Sequence, residues 1–432
     1  MTRIELHTSV EEVLECDDVQ GFLIKRVNLG RMYFWTPFRA IHVSTNIPLK
    51  IRGKILSIKR DAVMFEVNRV VYINRSYDAL KKALLEGDED RIKKILWVDE
   101  RLSKEDLLIS LSFSTFPYLK LGRQNFNELL DYIYAYSSIL LVPHIRYGDA
   151  KTKVKYSPDE FCRYVDNAMF ILRDRNSSKP LFVPFDISYD AATRDRILGY
   201  YAKKGYTNIW IDFQARVFSG AMIAKMRILA RKINEVFGKQ ARNVILYLAN
   251  IRKSSRESQA SFKIIPSDFL GAFSYGDIIG SPWKGVAFPY QLSEGEKSYW
   301  ERKGYPNERE YKIAMFKRDC SIFEDNSYYY WHPDRLQIRN NELDEIRKSI
   351  LQLDLSKKAV AEEASHSLNG FITLNELNQL RKIVEEENRI TDYIRRKEFF
   401  MEEGTSILEK IRGKREEART EKGLFDFMSF LS

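Results

Sequence analysis

The sequence predicts an α/β fold: a (β/α)8 TIM-like barrel with a β-rich N-terminal segment before it and an α-helical C-terminal region behind it. Three observations carry this expectation. Between about residues 106 and 290, short apolar runs alternate with longer amphipathic ones, the pattern of parallel strands joined by right-handed helical crossovers. Before that stretch apolar residues recur at every second position, and beyond residue 341 they recur at helical spacing. No G-x-G-x-x-G or G-x-x-x-x-G-K-[ST] run marks a nucleotide-binding first turn, so a closed barrel is preferred to its rival, a doubly wound open sheet.

Taken in order, "GFLIKRV", "AIHVST", "KILSIKR", "AVMFEV" and "RVVYIN" over 18–75 read as antiparallel strands. Gly30, Asn46-Ile47-Pro48 and Lys59-Arg60-Asp61 supply their turns. "SYDALKKALLEGDEDRIKKIL" then reads as two short helices parted by Gly87. The alternating region follows, with strands at "LLISLSF", "ILLVPHI", "PLFVPFDIS", "NIWIDFQ", "NVILYLANI" and within "DFLGAFSYGDIIGS". Past residue 341 the helical pattern is interrupted at Gly370, and Thr373 with Glu376 forms a capping box for a new helix. The expected organisation is an N-terminal extension (1–30), a barrel with its β-rich start (31–340), a helical region (341–412) and a flexible tail (413–432).

Composition narrows the function. Of 432 residues, 44% are hydrophobic and 30% charged, as in an ordinary folded domain. The longest uncharged apolar run, in "SSILLVPHI", is far too short to span a membrane, and the acidic start lacks an apolar signal core. Cys16, Cys162 and Cys320 form no C-x-x-C pair, which argues against a disulfide framework and a four-thiolate zinc site. A cytoplasmic protein with no membrane partner is expected. The formal charge of +10 attracts polyanions, so a nucleic-acid partner is favoured over a merely lysine-rich surface.

Barrel chemistry gathers at the carboxyl ends of the strands. Those positions hold Ser112, Ser114, His144, Asp186, Asp212 with Gln214, Asn250 and Asp277. Asp186 and Asp212 each end an apolar run, where an unpaired carboxylate is costly to bury. They either serve a site or cap loops. A metal site built from His144, Asp186 and Asp212, as in a metal-dependent nuclease, is geometrically possible, though no H-x-H or H-E-x-x-H spacing supports it. "YYYWH" at 328–332 can stack bases, but packing is the better reading. The basic stretches near the C-terminus are interleaved with glutamate and read as solvated helix faces.

The run from "NFNELLDYIYAYSSILLVPHI" through "PLFVPFDISYDAATRDRILGYYAKKGYTNIWIDFQ" to "DFLGAFSYGDIIGSPWKG" resembles tRNA-guanine transglycosylases and their DNA-modifying relatives. The resemblance spans about residues 31–350. "GRMYFWTPFRAI" looks like that family's first barrel strand and "NELDEIRKSI" like its helix after the barrel. It implies an aspartate nucleophile, for which Asp277 is the candidate, although a shifted register puts Gly280 there. It implies a general-base aspartate where Ile109 stands beside Ser110, and a base-recognising aspartate where His144 stands. His144, Asp186, Asp212, Gln214, Asn250 and Ser112 are the candidate base-binding residues. The family's zinc site maps near "RDCSIFEDNSYYYWH", where only Cys320 and His332 could serve, so neither zinc nor another cofactor is expected.

The C-terminal "EKGLFDFMSFL" resembles the sliding-clamp-binding peptide, the PIP box. Leu424, Phe427 and Met428 supply its i, i+3, i+4 apolar plug, and Glu421 replaces the usual glutamine. The alternative is a terminal amphipathic helix docked on the chain itself. Together these readings predict a DNA-associated binding protein with a degenerate transglycosylase-like site, tethered to a PCNA-type clamp, with DNA favoured over tRNA. A guanine base-exchange enzyme is the alternative, and a metal-dependent nuclease the third reading.

Overall fold

A computed structural model describes residues 7–58, 60–71, 75–147, 155–175, 178–253, 263–283, 299–302, 304–402 and 404–412. At the N-terminus, β1 (Thr8–Glu15), β2 (Leu23–Leu29) and β3 (Met32–Trp35) form an antiparallel sheet in that order. Gly30 turns the β2–β3 hairpin at a φ of +64°, a conformation that glycine adopts without steric penalty. The expected boundary between residues 30 and 31 therefore falls within one sheet. This sheet packs against the amino ends of the strands that follow, where the Tyr275 amide donates to Gly21 O at 2.6 Å. A Cβ at Gly21 would stand 2.4 Å from Phe273 O, so only glycine allows the approach.

Antiparallel pairing stops at Trp35, earlier than the alternation suggests. "KILSIKR" lies mostly in the helix Leu49–Ser57, and the remaining strands of this stretch pair in parallel. These are β4 (Phe38–Arg39), β5 (Ile41–His42) and β6 (Phe65–Val71), followed by β7 (Leu107–Phe113), β8 (Leu140–Leu141) and β9 (His144–Ile145). Next come β10 (Leu181–Asp186), β11 (Asn208–Asp212), β12 (Ile245–Ala249) and β13 (Ile278–Ile279). They form a curled six-stranded sheet, ordered β4-β13-β12-β11-β10-β8, and a four-stranded sheet, ordered β5-β6-β7-β9. Only Ala40 separates β4 from β5, and only Val142 and Pro143 separate β8 from β9. Every residue of β7, β10, β11 and β12 is buried, as parallel strands covered on both faces require.

Helices Arg123–Tyr136, Pro158–Asp174, Ala191–Lys204 and Gly220–Phe237 link successive strands, in the predicted alternation. Two of their starts follow from local chemistry: the Ser157 and Asp190 side chains accept from the Glu160 and Thr193 amides. Gly205, at a φ of +74°, ends the third of them.

Beyond the strands, β14 (Ile322–Glu324) and β15 (Tyr329–Trp331) form a hairpin. Tyr328, Tyr329 and Tyr330 are fully buried, which is packing rather than base stacking. The helix Lys358–Glu387 then runs unbroken through Gly370, contrary to the predicted interruption and capping box. Gly370 is where this helix crosses β5: a Cβ there would meet Ile41 Cδ1 at 2.9 Å and Ile41 Cα at 3.2 Å. Thr373 Oγ1 donates back to Asn369 O at 2.7 Å, and Glu376 accepts from the Tyr328 hydroxyl at 2.5 Å. Burial among tertiary partners, not helix propensity, sets these residues. No helix among the described residues is long and apolar enough to cross a membrane.

Candidate functional site

Parallel pairing aligns the polar tips of neighbouring strands. Ser112 on β7 stands opposite His144 on β9, and Asp186 ending β10 stands opposite Asp212 ending β11. The His144 ring lies between the two carboxylates, with Nδ1 3.5 Å from Asp212 Oδ2 and Nε2 3.7 Å from Asp186 Oδ2. The Trp210 ring approaches the imidazole at 5.5 Å between centroids in a T-shaped contact. His144, Asp186 and Asp212 are all 0% exposed.

Each carboxylate is saturated by the chain itself. Asp212 Oδ2 accepts from Ser112 Oγ at 2.9 Å and Arg146 Nε at 3.0 Å. Its Oδ1 accepts from the Gln214 amide at 2.8 Å and Asn250 Nδ2 at 2.9 Å. Asp186 Oδ1 accepts from the Ser188 amide at 2.7 Å and from its hydroxyl, and Oδ2 from the Tyr147 amide at 3.1 Å and from Gln214 Nε2. Burial opposes the charge on Asp212, but the Arg146 guanidinium, His144 and the Gln214 amide outweigh it and hold the carboxyl well below the usual range. Burial pushes Asp186 upward, against His144 and with Asp212. Two carboxyls at one level are thus driven apart. The structure brings together Ser112, His144, Asp186, Asp212, Gln214 and Asn250, as the strand-end reading proposed. Arg146 was missed, although its place two residues beyond His144 is a signal that strand alternation carries.

Asp277 is not among them. It precedes β13, and its Oδ2 accepts from the Leu246 amide at 2.8 Å, near the start of β12. Lys25 Nζ donates to the same oxygen at 2.9 Å and to Val244 O at 2.6 Å. Asp277 therefore lies toward the amino ends of the strands, level with Leu246 and three residues short of the Ala249–Asp212 level. The expectation that it shares the mouth with Asp186 and Asp212 is corrected: β13 starts after it. Further along that strand stands Gly280, as in the shifted register. A Cβ there would lie 2.7 Å from the Tyr247 hydroxyl and 3.1 Å from Glu66 Oε2. Those two side chains fill the space. Glu66 accepts from Ser110 Oγ at 2.9 Å, the Tyr247 hydroxyl and the Ser281 amide. It was not singled out in the sequence, where a lone glutamate in "AVMFEV" looks like an outward residue. Ile109 is buried on β7 and brings no polar group.

Cys320 and His332 flank the same end of the β14–β15 hairpin, where Ile322 pairs with Trp331. Cys320 is buried behind the helix Glu308–Asp319, and His332 caps a turn through Asp334. Among the described residues no group of three or more His, Cys, Asp and Glu side chains is arranged to hold a metal ion. The His144, Asp186 and Asp212 side chains face one another directly.

Above the sealed carboxylates the backbone turns sharply. Gln214, Ala215 and Asn250 adopt left-handed conformations, with φ of +49°, +62° and +60°. These turns carry Arg216 and Arg252, whose main chains pair through Arg252 N to Arg216 O at 3.0 Å. Arg216 Nη1 donates to Gln214 Oε1 at 3.3 Å, and the exposed Arg252 guanidinium lies 5.9 Å from the Trp283 ring centroid. The mouth of the strands thus carries Arg216, Arg252 and Trp283 above a buried polar core. Glu421, Leu424, Phe427 and Met428 lie outside the described residues.

A scan against models of known protein families finds no match to this chain. A search among curated proteins finds no match either.

Proposed function

We propose that this chain is a nucleic-acid-binding protein on a closed (β/α)8 barrel, in which a transglycosylase-like base-exchange site has become a buried core whose two carboxylates are held by the chain's own donors. Closure is supported by the two segments, 38–42 and 140–145, that take part in both parallel sheets. Loss of base exchange is supported by the pairing of Asp277 with Lys25 and by the glycine at position 280. A carboxylate already holding four donors, as Asp212 does, is a poor nucleophile or base.

The observation that carries the binding reading is the rim: Arg216 and Arg252, joined through their main chains, with the Arg252 guanidinium 5.9 Å from the Trp283 ring centroid. Two guanidiniums suit successive phosphates, and an indole face accepts a stacked base of any identity. The excess of ten positive charges strengthens the encounter. DNA is preferred to tRNA because the tail, with Leu424, Phe427 and Met428, fits a sliding-clamp pocket and would concentrate the protein at replicating DNA.

The test is binding of labelled single- and double-stranded DNA and of tRNA across a salt series. Replacing Arg216 and Arg252 with alanine should lower the log–log salt slope by about two, at ~0.9 per lost phosphate contact. An unchanged slope would remove the rim from the interface. In a parallel pull-down, Leu424→Ala with Phe427→Ala should abolish capture by the sliding clamp; capture that survives would end that part of the proposal.

A further inference from the structure

We propose that Asp186, His144, Asp212 and Arg146 share one proton as a unit, and that this proton tunes how strongly the arginine rim grips a nucleic-acid backbone. The first half stands on the cluster alone; the second rests on the binding reading above.

The argument begins with a charge count. Two carboxylates and one guanidinium leave one negative charge, in a place where the four side chains are at most 4% exposed. An uncompensated charge so far from water is expensive, and a single added proton removes it. Whether the proton stands on His144 Nε2 or on Asp186 Oδ2, 3.7 Å away, the sum is zero. Protons on such coupled groups belong to the set rather than to one residue. The raised affinity of Asp186 for a proton, caused first by burial, fits this picture.

Among the described residues, Arg146 is the cation in direct contact with the two carboxylates, and Arg216 reaches them only through Gln214. On its own strand the imidazole has Arg146; from β7 it faces the Ser112 hydroxyl, from β10 Asp186, and from β11 Asp212 and the Trp210 edge. The helix Pro158–Asp174 presents Phe161, 6.4 Å away between centroids. Nearby, the Tyr156 and Tyr189 hydroxyls are bonded to each other at 2.7 Å, and burial pushes both well above the usual phenol range, so they stay uncharged. One layer deeper lies a further carboxyl, Glu66, with Ser110 and Tyr247.

Gln214 connects the cluster to the rim. Its amide N–H donates to Asp212, its side-chain Nε2 to Asp186 and to Tyr147 O at 3.1 Å, and its Oε1 accepts from Arg216. When the proton leaves, a bare negative charge appears beneath Arg216. It competes with phosphate for that guanidinium, and the affinity for a polyanion falls.

The sign follows from linkage. Above about pH 6.5 the ordinary imidazoles and carboxylates of an unfolded chain have released their protons, whereas a buried cluster that shares one keeps it. Above that pH the folded state holds more protons, so stability declines as pH rises until the cluster also titrates.

The experiment uses the full chain and Asp186→Asn, which makes the cluster neutral without a proton. Chemical-denaturant stability is followed from about pH 5.5 to about pH 9, alongside affinity for a fluorescein-labelled oligothymidylate at fixed ionic strength. The parent should lose stability above about pH 6.5 and bind roughly three- to tenfold more weakly at the alkaline end. Asp186→Asn should show a flatter stability curve and a flat affinity. A parent stability curve that stays level above pH 6.5 overturns the shared proton, and needs no variant. Matching slopes for parent and Asp186→Asn overturn it as well. Proton-linked stability with pH-independent oligonucleotide binding overturns the coupling to the rim. Binding absent at every pH counts against the nucleic-acid reading, while the stability curves still decide the proton.

Discussion

Replacing Asp277 with asparagine separates two views of that residue. A nucleophile can be neutralised with little effect on stability, because reaction rather than packing depends on its charge. An internal counter-ion cannot. Asp277 and Lys25 have side chains 2% and 7% exposed and meet at 2.9 Å, so Asp277→Asn strands the Lys25 ammonium inside the protein. Removing one partner of a buried pair costs about 3–5 kcal/mol. The lower end applies, since asparagine keeps a carbonyl that can accept from the Leu246 amide. Unfolding entropy of roughly 2.1 cal/mol/K per residue gives about 0.9 kcal/mol/K for this chain. The melting temperature should therefore fall by about 3–5 °C in a circular-dichroism melt. Adding Lys25→Met to Asp277→Asn removes the stranded cation and should recover at least half of that loss. An Asp277→Asn melt within about 1 °C of the parent would refute the counter-ion assignment.

Two further perturbations follow. Arg146→Met deprives Asp212 of its nearest cation and should cost about 3–5 kcal/mol, partly restored by Asp212→Asn in the double variant; denaturant titration reads both. Gly280→Ala forces a methyl against the Tyr247 hydroxyl at 2.7 Å, and should lower stability by about 1–3 kcal/mol in the same titration, whereas an unchanged midpoint would mean the Glu66–Tyr247 pair yields freely.

The alternation of strand and helix between 106 and 290 was legible because the buried strands are apolar runs followed by amphipathic helices, two of them capped, at Ser157 and Asp190. The polar tips were legible for the same reason: Asp186 and Asp212 are conspicuous at the ends of "LFVPFD" and "NIWID". What escaped depends on partners distant in the chain. Period-two alternation in "AIHVST" cannot tell antiparallel from parallel pairing; that is decided by β13 and β6, which flank this segment. Gly370 looks like a helix break until Ile41 is seen beneath it. Asp277 looks like a strand end because "GDIIGS" does not reveal where the strand starts, and Lys25 is 252 residues away. Arg146 and Glu66 acquire meaning only when neighbouring strands set their carboxyl and guanidinium partners beside them.

The pairing of Phe38–Arg39 with Ile278–Ile279 has a consequence for how the protein is made. On the ribosome, one edge of the first parallel strand must wait until some 240 further residues have been synthesised. The adjoining strand, Ile41–His42, waits longer still for its cover, for the glycine at 370 that lets the long helix settle over Ile41. Such late, distant closure is slow and leaves a sticky edge exposed in the nascent chain. Shortened forms ending before that helix should accordingly accumulate as aggregates rather than as smaller folded proteins.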